Sequence, residues 1–248
     1  MDLVIENLKK VYNDKVALDI EHLEIGSGQL VGLVGNNGAG KTTLLRLILD
    51  LIRADSGRVL SNGMDVTGAA EGRSATFTAA DNIEWKRYTG SFIDSKFLID
   101  FLTPEEYFNF IGRLYGLTPE TVVQRLEAFK PLMHDEILGT GKYLRDFSEG
   151  NRQKIGIIGA MLIQPKVLLL DEPFNYLDPS SQIVVARLIA QMNQQLGTTT
   201  LISSHNLSFV ADISTRILLL EKGHVIKDLN NLDHTAIAEL NNYFNAEA

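Results

Sequence analysis

Cysteine is absent from the 248 residues, which excludes disulfides and thiolate metal sites and fits a reducing compartment. No apolar run is long enough for a bilayer. The longest, IGIIGAMLI at 155–163, has nine residues, against the roughly 20 that a transmembrane helix needs. The opening MDLVIENLKK carries charge on both sides of a very short apolar stretch, so no secretory signal is expected. Positive charge is in deficit, with 23 Lys and Arg against 31 Asp and Glu and a net charge of −8. Nucleic acid is therefore not expected as a partner, because a phosphate backbone is held by concentrated Lys and Arg. Internal repeats and coiled-coil heptads are missing as well.

What remains is ordinary for a soluble globular chain, 45% hydrophobic and 22% charged. The length allows a sizeable core, built as one large domain or two lobes. LVGLVG (30–35) is a short apolar run of the kind that forms a buried parallel strand, and VLLLD (167–171) and TTTLIS (198–203) read as a second and a third buried strand. KTTLLRLILDLI (41–52) has helical spacing at Leu44, Leu45, Ile48, Leu51 and Ile52, and residues 179–196 also read as helix. Strand, helix, strand in this order predicts a parallel α/β sheet with crossover helices. ILLLEKGHVIKD (217–228) predicts two strands around a Lys222-Gly223 turn. From 104 to 164 the texture is helical, and a short helix is expected after His234. The polar segment 68–87 has no assignable pattern.

GNNGAGKTT (35–43) satisfies G-x-x-x-x-G-K-[ST] with Gly35, Gly40, Lys41 and Thr42; Asn36, Asn37, Gly38 and Ala39 form the loop, and Thr43 comes next. Glycines let successive N–H groups point inward at phosphate oxygens, and the helix that starts there adds its positive dipole end. Lys41 is expected on the β- and γ-phosphates and Thr42 on Mg²⁺. The preceding strand and following helix supply the context for a nucleotide site. VLLLDEP adds Asp171 as a Mg²⁺-side carboxylate and Glu172 as the group that orients or activates water. His205 ends a third strand, at the edge where α/β sheets place ligands. FSEGNRQK (147–154) opens with a serine and a glycine followed by amide and basic side chains. It reads either as an ordinary helix cap or as a surface for a negatively charged group.

In this order the pieces resemble the ATP-binding subunit of ATP-binding-cassette (ABC) transporters, from about residue 3 to 228. The fold implied is α/β: a P-loop NTPase core with a parallel sheet, an N-terminal antiparallel β portion and an inserted helical lobe. It forms a single domain over 1–248, with the core in 1–103 and 165–248 and the lobe in 104–164. FSEGNRQK matches the family signature, usually written LSGGQ. By that resemblance Ser148, Glu149, Gly150 and Asn151 face the ATP of a second ATPase subunit, with Ser148 and the Gly150 N–H on its γ-phosphate. Tyr12 matches the residue that stacks on adenine, Asp178 in NYLD the loop linking the two sites, and His205 the switch histidine. Glu149 and Asn151 depart from the usual glycine and glutamine. Asp94 stands where a glutamine normally senses Mg²⁺ and the membrane partner, and is expected to be a Mg²⁺-side ligand.

The function implied is ATP hydrolysis by a homo- or heterodimer around two Mg·ATP, with Lys41, Glu172 and His205 at the catalytic centre. A separate transmembrane permease would move the solute, so the chain would sit peripherally on the cytoplasmic face of the membrane. The acid at 94 and the texture of FLTPEEYFNFIGRLYGL (101–117) resemble export-type members, and a short tail argues against the regulatory C-terminal domain that many sugar-import ATPases carry. The alternative is a soluble ABC ATPase that moves no solute, such as an iron–sulfur assembly subunit. Residues 64–89 look like an insert of unassigned role.

Overall fold

The chain begins with a long antiparallel hairpin, β1 (Leu3–Tyr12) and β2 (Lys15–Ile25), which buries Leu3, Ile5 and Leu8 from one strand and Leu18, Ile20, Leu23 and Ile25 from the other, the alternation slipping by one residue midway in each. The computed structural model describes residues 1–67, 84–233 and 235–246. After β3 (Leu30–Val34) and α1 (Lys41–Ile48), β4 (Ser56–Ser61) pairs with β1, and the short β5 (Met64–Asp65) pairs with β4. This gives a four-stranded antiparallel sheet in the order β2-β1-β4-β5. Residues 68–83, the middle of the expected insert, lie outside the described residues.

The second sheet positions the site. It adds β6 (Thr89–Phe92), β7 (Val167–Leu170), β8 (Thr199–Ser204), β9 (Arg216–Glu221) and β10 (His224–Asn230), in the order β10-β9-β3-β8-β7-β6. Neighbours from β9 to β6 are parallel, and β10 returns antiparallel through the turn at Lys222 and Gly223. β3, β7 and β8 are buried at every position, as strands are when both sheet faces are covered. Val31, Leu33, Leu169 and Leu201 face a core shared with the antiparallel sheet and α1. Leu30, Val34, Leu168, Leu170 and Ile202 face the other core, beneath the helices. The six-stranded sheet is thus the middle of three layers.

The helices are α2 (Pro104–Leu114), α3 (Pro119–Leu126), α4 (Lys130–Met133), α5 (Glu149–Leu162), α6 (Pro179–Leu196), α7 (Leu207–Ile213) and α8 (Ala236–Ala246). Thr103 and Glu106 form a reciprocal capping box on α2, Thr118 caps α3, and each has proline in its first turn. Phe108, Val122, Leu126 and Phe129 belong to the same apolar cluster as the sheet residues. Burying a side chain such as Phe108 completely is worth about 1.5–3 kcal/mol, so these helices are fixed to the sheet by a continuous core.

Two features differ from expectation. The helix after the P-loop stops at Ile48, and Leu51 is half exposed. Asp50 adopts a left-handed φ of 54°; its N–H bonds the Leu47 carbonyl, and the Leu51 N–H bonds that of Arg46. That Schellman closure ends the helix although the apolar spacing continues. The other is β6, whose TGSF sequence lacks an apolar run. It is held by pairing with β7 and by α5, where Gly156 leaves room for Phe92: a Cβ there would lie 2.0 Å from the ring.

Candidate active site

β3, β7 and β8 run parallel in adjacent register, with Val34 opposite Ser204 and Leu170 opposite Ile202. The segments that leave their carboxyl ends therefore meet at one sheet edge: the loop 35–40, the pair Asp171-Glu172, and His205. Gly35, Gly38 and Gly40 have φ of 150°, 82° and 111°, a backbone that side-chain-bearing residues rarely adopt. Ala39 and Gly40 are buried, while Asn36, Asn37 and Gly38 form the exposed rim. A Cβ at Gly38 would meet nothing within 4 Å, so this backbone faces open space. The Ala39 N–H bonds Asn36 O and the Leu44 N–H bonds Gly40 O, and Thr42 and Thr43 lie half-buried in the first turn of α1.

Lys41 is buried to 5% exposure. Its Nζ donates to Gly35 O at 2.7 Å and Asn36 O at 3.3 Å, and stands 3.5 Å from Glu172 Oε1. A buried ammonium held by loop carbonyls at the mouth of an open cradle fits a phosphate chain. Asp171 is 7% exposed, and burial pushes its carboxyl above the usual range, against the hydroxyls of Ser203 and Thr42 that donate to it. Two oxygen donors side by side, the Thr42 hydroxyl and the Asp171 carboxylate, suit a hard divalent cation such as Mg²⁺. Among the described residues, no three His, Asp or Glu side chains cluster tightly enough to hold a metal alone, so such an ion would complete its shell with phosphate and water.

Glu172 is a non-glycine residue at φ 44°. That conformation is over-determined: its N–H donates to Ser203 Oγ at 2.9 Å, and its carbonyl accepts from Gln153 Nε2 at 3.0 Å. Its carboxylate accepts from the His205 N–H at 3.2 Å and lies 2.9 Å from His205 Nδ1, with the histidine side chain 51% exposed. Ser203 accepts from Glu172 and donates to Asp171, so one buried hydroxyl fixes both acids. Sequence reasoning missed Ser203 and Gln153. Their signal was a hydroxyl inside a fully buried strand and an amide on the buried face of a helix.

Ser148 caps α5, its Oγ accepting the Asn151 N–H at 3.3 Å, so the cap reading of FSEGNRQK is realised. The side chains of Glu149 and Asn151 are engaged within the chain: Glu149 accepts from Ser95 Oγ, and Asn151 Nδ2 donates to Glu136 at 3.4 Å. Gly150 is required by close approach, since a Cβ would lie 2.7 Å from the Tyr176 carbonyl. Asp178 caps α6, accepting from the Ser181 N–H at 2.9 Å and from the hydroxyls of Ser180 and Ser181. These donors hold its carboxyl well below the usual carboxylate range, the Ser180 hydroxyl foremost.

Asp94 lines a cleft of about 680 Å³ together with Glu149, Arg152, Asp171 and Glu172. There it caps the turn Ser95–Phe97, accepting the Lys96 N–H at 2.9 Å. Tyr12 ends β1, half exposed, with Lys10 Nζ 5.2 Å from its ring centroid. The Val11 N–H and Lys10 Nζ both bond Asp55, which fixes that turn.

A profile described as ABC transporter matches residues 18–175. The chain belongs to the ABC transporter family. It is an ATPase of this family, and ATP is its nucleotide. It is similar to the "Probable sulfate/thiosulfate import ATP-binding protein CysA" of Chlorella vulgaris, 32% identical over 92% of this chain and 90% of that one. The methionine import ATP-binding protein MetN of Carboxydothermus hydrogenoformans is 30% identical over 91% of the chain, which spans 65% of its length. The bacitracin transport ATP-binding protein BcrA of Enterococcus faecalis is 31% identical over 93%, spanning 70% of its length. Several relatives are thus longer than this chain. A solved ATP-binding subunit of an ABC transporter superposes with a TM-score of 0.79 at 25% identity, covering 97% of this chain and 94% of that one. A dimeric bacterial ABC transporter cassette gives 0.79 at 21% over 92% and 98%, a likeness of fold. The α/β P-loop fold is therefore shown. The preference for export-type members is not supported, since relatives such as the CysA and MetN proteins are named for import.

Proposed function

We propose that this ABC ATPase binds Mg·ATP, pairs with a second ATPase subunit around two nucleotides, and drives solute movement through a separate transmembrane permease. The carrying observation is the cluster at the sheet edge, where Lys41, Asp171, Glu172 and His205 converge on the open loop 35–40. The loop N–H groups and Lys41 hold the phosphates. On nucleotide binding Lys41 exchanges the Gly35 and Asn36 carbonyls for phosphate oxygens. Thr42 and Asp171 would hold Mg²⁺, with Asp94 contributing from across the cleft, and the ion would supply charge neutralisation at the β- and γ-phosphates. Glu172 orients the attacking water, and His205, already bonded to that carboxylate, supports the γ-phosphate. Such chemistry is positioning plus charge stabilisation.

Tyr12 stacks on adenine with the ring face that Lys10 leaves free. Ser148 and the Gly150 N–H reach the γ-phosphate held by the partner subunit, and Asp178 lies between the two sites. No described helix is long and apolar enough to cross a membrane, and the chain would sit peripherally on the cytoplasmic face, beside the permease. The relatives' transport names favour this reading over a soluble ATPase that moves no solute. Purifying tagged Glu172→Gln protein from its native host in mild detergent with Mg·ATP tests it. A stoichiometric multi-span membrane protein is expected; soluble partners alone would overturn the transport assignment.

A further inference from the structure

Where the family signature has glycine, this chain has Glu149, in the first turn of α5. A carboxylate there complements the helix dipole, yet turned outward it would repel a phosphate brought to the same N-terminus. Its contacts hold it toward the Asp94 loop, with the side chain still 45% exposed. Glu149 Oε1 accepts the hydroxyl of Ser95, a buried residue in the turn beginning at Asp94, and Oε2 lies 3.9 Å from Arg152 Nε. Arg152 continues the connection. Its Nη2 donates to Ser95 O at 3.0 Å, its Nη1 donates to Leu144 O at 2.9 Å, and Nη1 lies 2.8 Å from Asp100 Oδ1. The Arg152 side chain is only 12% exposed.

We propose that Glu149 is a positioning residue: with Ser95 it locks the first turn of α5 to the Asp94 loop, and so sets how Ser148 and the Gly150 N–H are presented to the nucleotide of a second subunit. This rests on the dimeric ATPase reading. The buried Ser95 hydroxyl needs a partner, and the carboxylate of Glu149 is the close one; Asp94 Oδ1 lies at 3.5 Å, the outer limit of a hydrogen bond. Two departures from the family pattern, the acids at 94 and 149, therefore belong to one hydrogen-bonded unit. The loop holding the cleft acid Asp94 and the helix start holding the signature move together.

The test uses the full chain carrying Glu172→Gln, with Ser95→Ala, Glu149→Ala, Glu149→Gln and the Ser95→Ala/Glu149→Ala double change. The ATP concentration that half-saturates dimerisation is read by light scattering, and nucleotide affinity of the dilute monomer by a fluorescent ATP analogue. Ser95→Ala and Glu149→Ala should each raise the half-point about three- to tenfold, the worth of one ordinary hydrogen bond, since the acceptor carboxylate is half exposed. The double change should be no worse than Glu149→Ala. Glu149→Gln, which still accepts the Ser95 hydroxyl, should recover most of the loss, and monomer affinity should stay constant. Unchanged half-points, or losses that add in full, would overturn the proposal.

Amide hydrogen exchange without nucleotide reads the lock independently of dimerisation. Faster exchange in both 94–101 and 148–152 in Ser95→Ala, which removes a single oxygen, supports it; unchanged exchange overturns it. A Glu172→Gln chain that never dimerises would count against the dimeric reading, and hydrogen exchange would then decide the lock alone.

Discussion

Ser203 bears more of the site than its size implies. One hydroxyl accepts the Glu172 N–H and donates to the Asp171 carboxylate, with no exposure to water. Replacing it with alanine leaves a backbone donor unsatisfied, at a cost of about 1–3 kcal/mol. It also lets Asp171 shift further toward its protonated form. Ser203→Ala should therefore unfold earlier in urea and lower ATP turnover together; a loss in only one of the two would separate the acid pair from the fold. Gly150 is a different case. Its backbone is helical, so alanine is not strained there, but the added methyl meets the Tyr176 carbonyl at 2.7 Å. The shift needed to relieve that contact costs about 1–3 kcal/mol. Gly150→Ala should depress turnover while leaving ATP binding to the isolated chain unchanged, as equilibrium binding with a fluorescent analogue would report.

At the scale of elements, α6 depends on its first turn. The Asp178 carboxylate takes three donors from Ser180 and Ser181, which hold its folded pKa below the unfolded value. Its contribution to stability is therefore complete above the ordinary carboxylate range and is lost as pH falls through the depressed folded value. Asp178→Asn should be less stable than the parent at neutral pH, with the difference narrowing in acid, as melting curves across pH would record. Elements with a one-sided physical signature were legible in the sequence. The buried strands ending at Val34 and Leu170 showed as apolar runs, the one ending at Ser204 showed as a β-branched run with Leu201 and Ile202, and the residues after them are the site. α6 was bounded by Asp178-Pro179 before and Gly197 after, and its ends were read to the residue. β6 was not legible, because TGSF is a strand only through its neighbours. The end of α1 was missed because the apolar spacing ran on past a backbone turn at Asp50. Contacts distant in sequence were invisible too, since nothing local ties Ser95 to Glu149, or Gln153 to the Glu172 carbonyl.

In the whole molecule, a sheet between two cores gathers three strand ends into one edge, and Lys41, Asp171, Glu172 and His205 all hang on that edge, with Ser148 and Gly150 on α5 beside it. The two cores on either side of the sheet hold the strand ends from which Lys41, Glu172 and His205 project. α5 bridges that edge and the helices of 104–133, since a Cβ at its Gly159 would lie 2.9 Å from the Tyr107 ring and its Gln153 holds the Glu172 carbonyl. Movement of those helices would thus be felt at Glu172, the acid proposed to orient water. The most direct measurement is steady-state ATP hydrolysis by the purified chain and its Glu172→Gln variant, with ATP binding measured on both. Binding should be retained and turnover reduced by at least about a hundredfold, the usual worth of a positioned general base. Turnover within a few-fold of the parent would contradict the role given to Glu172.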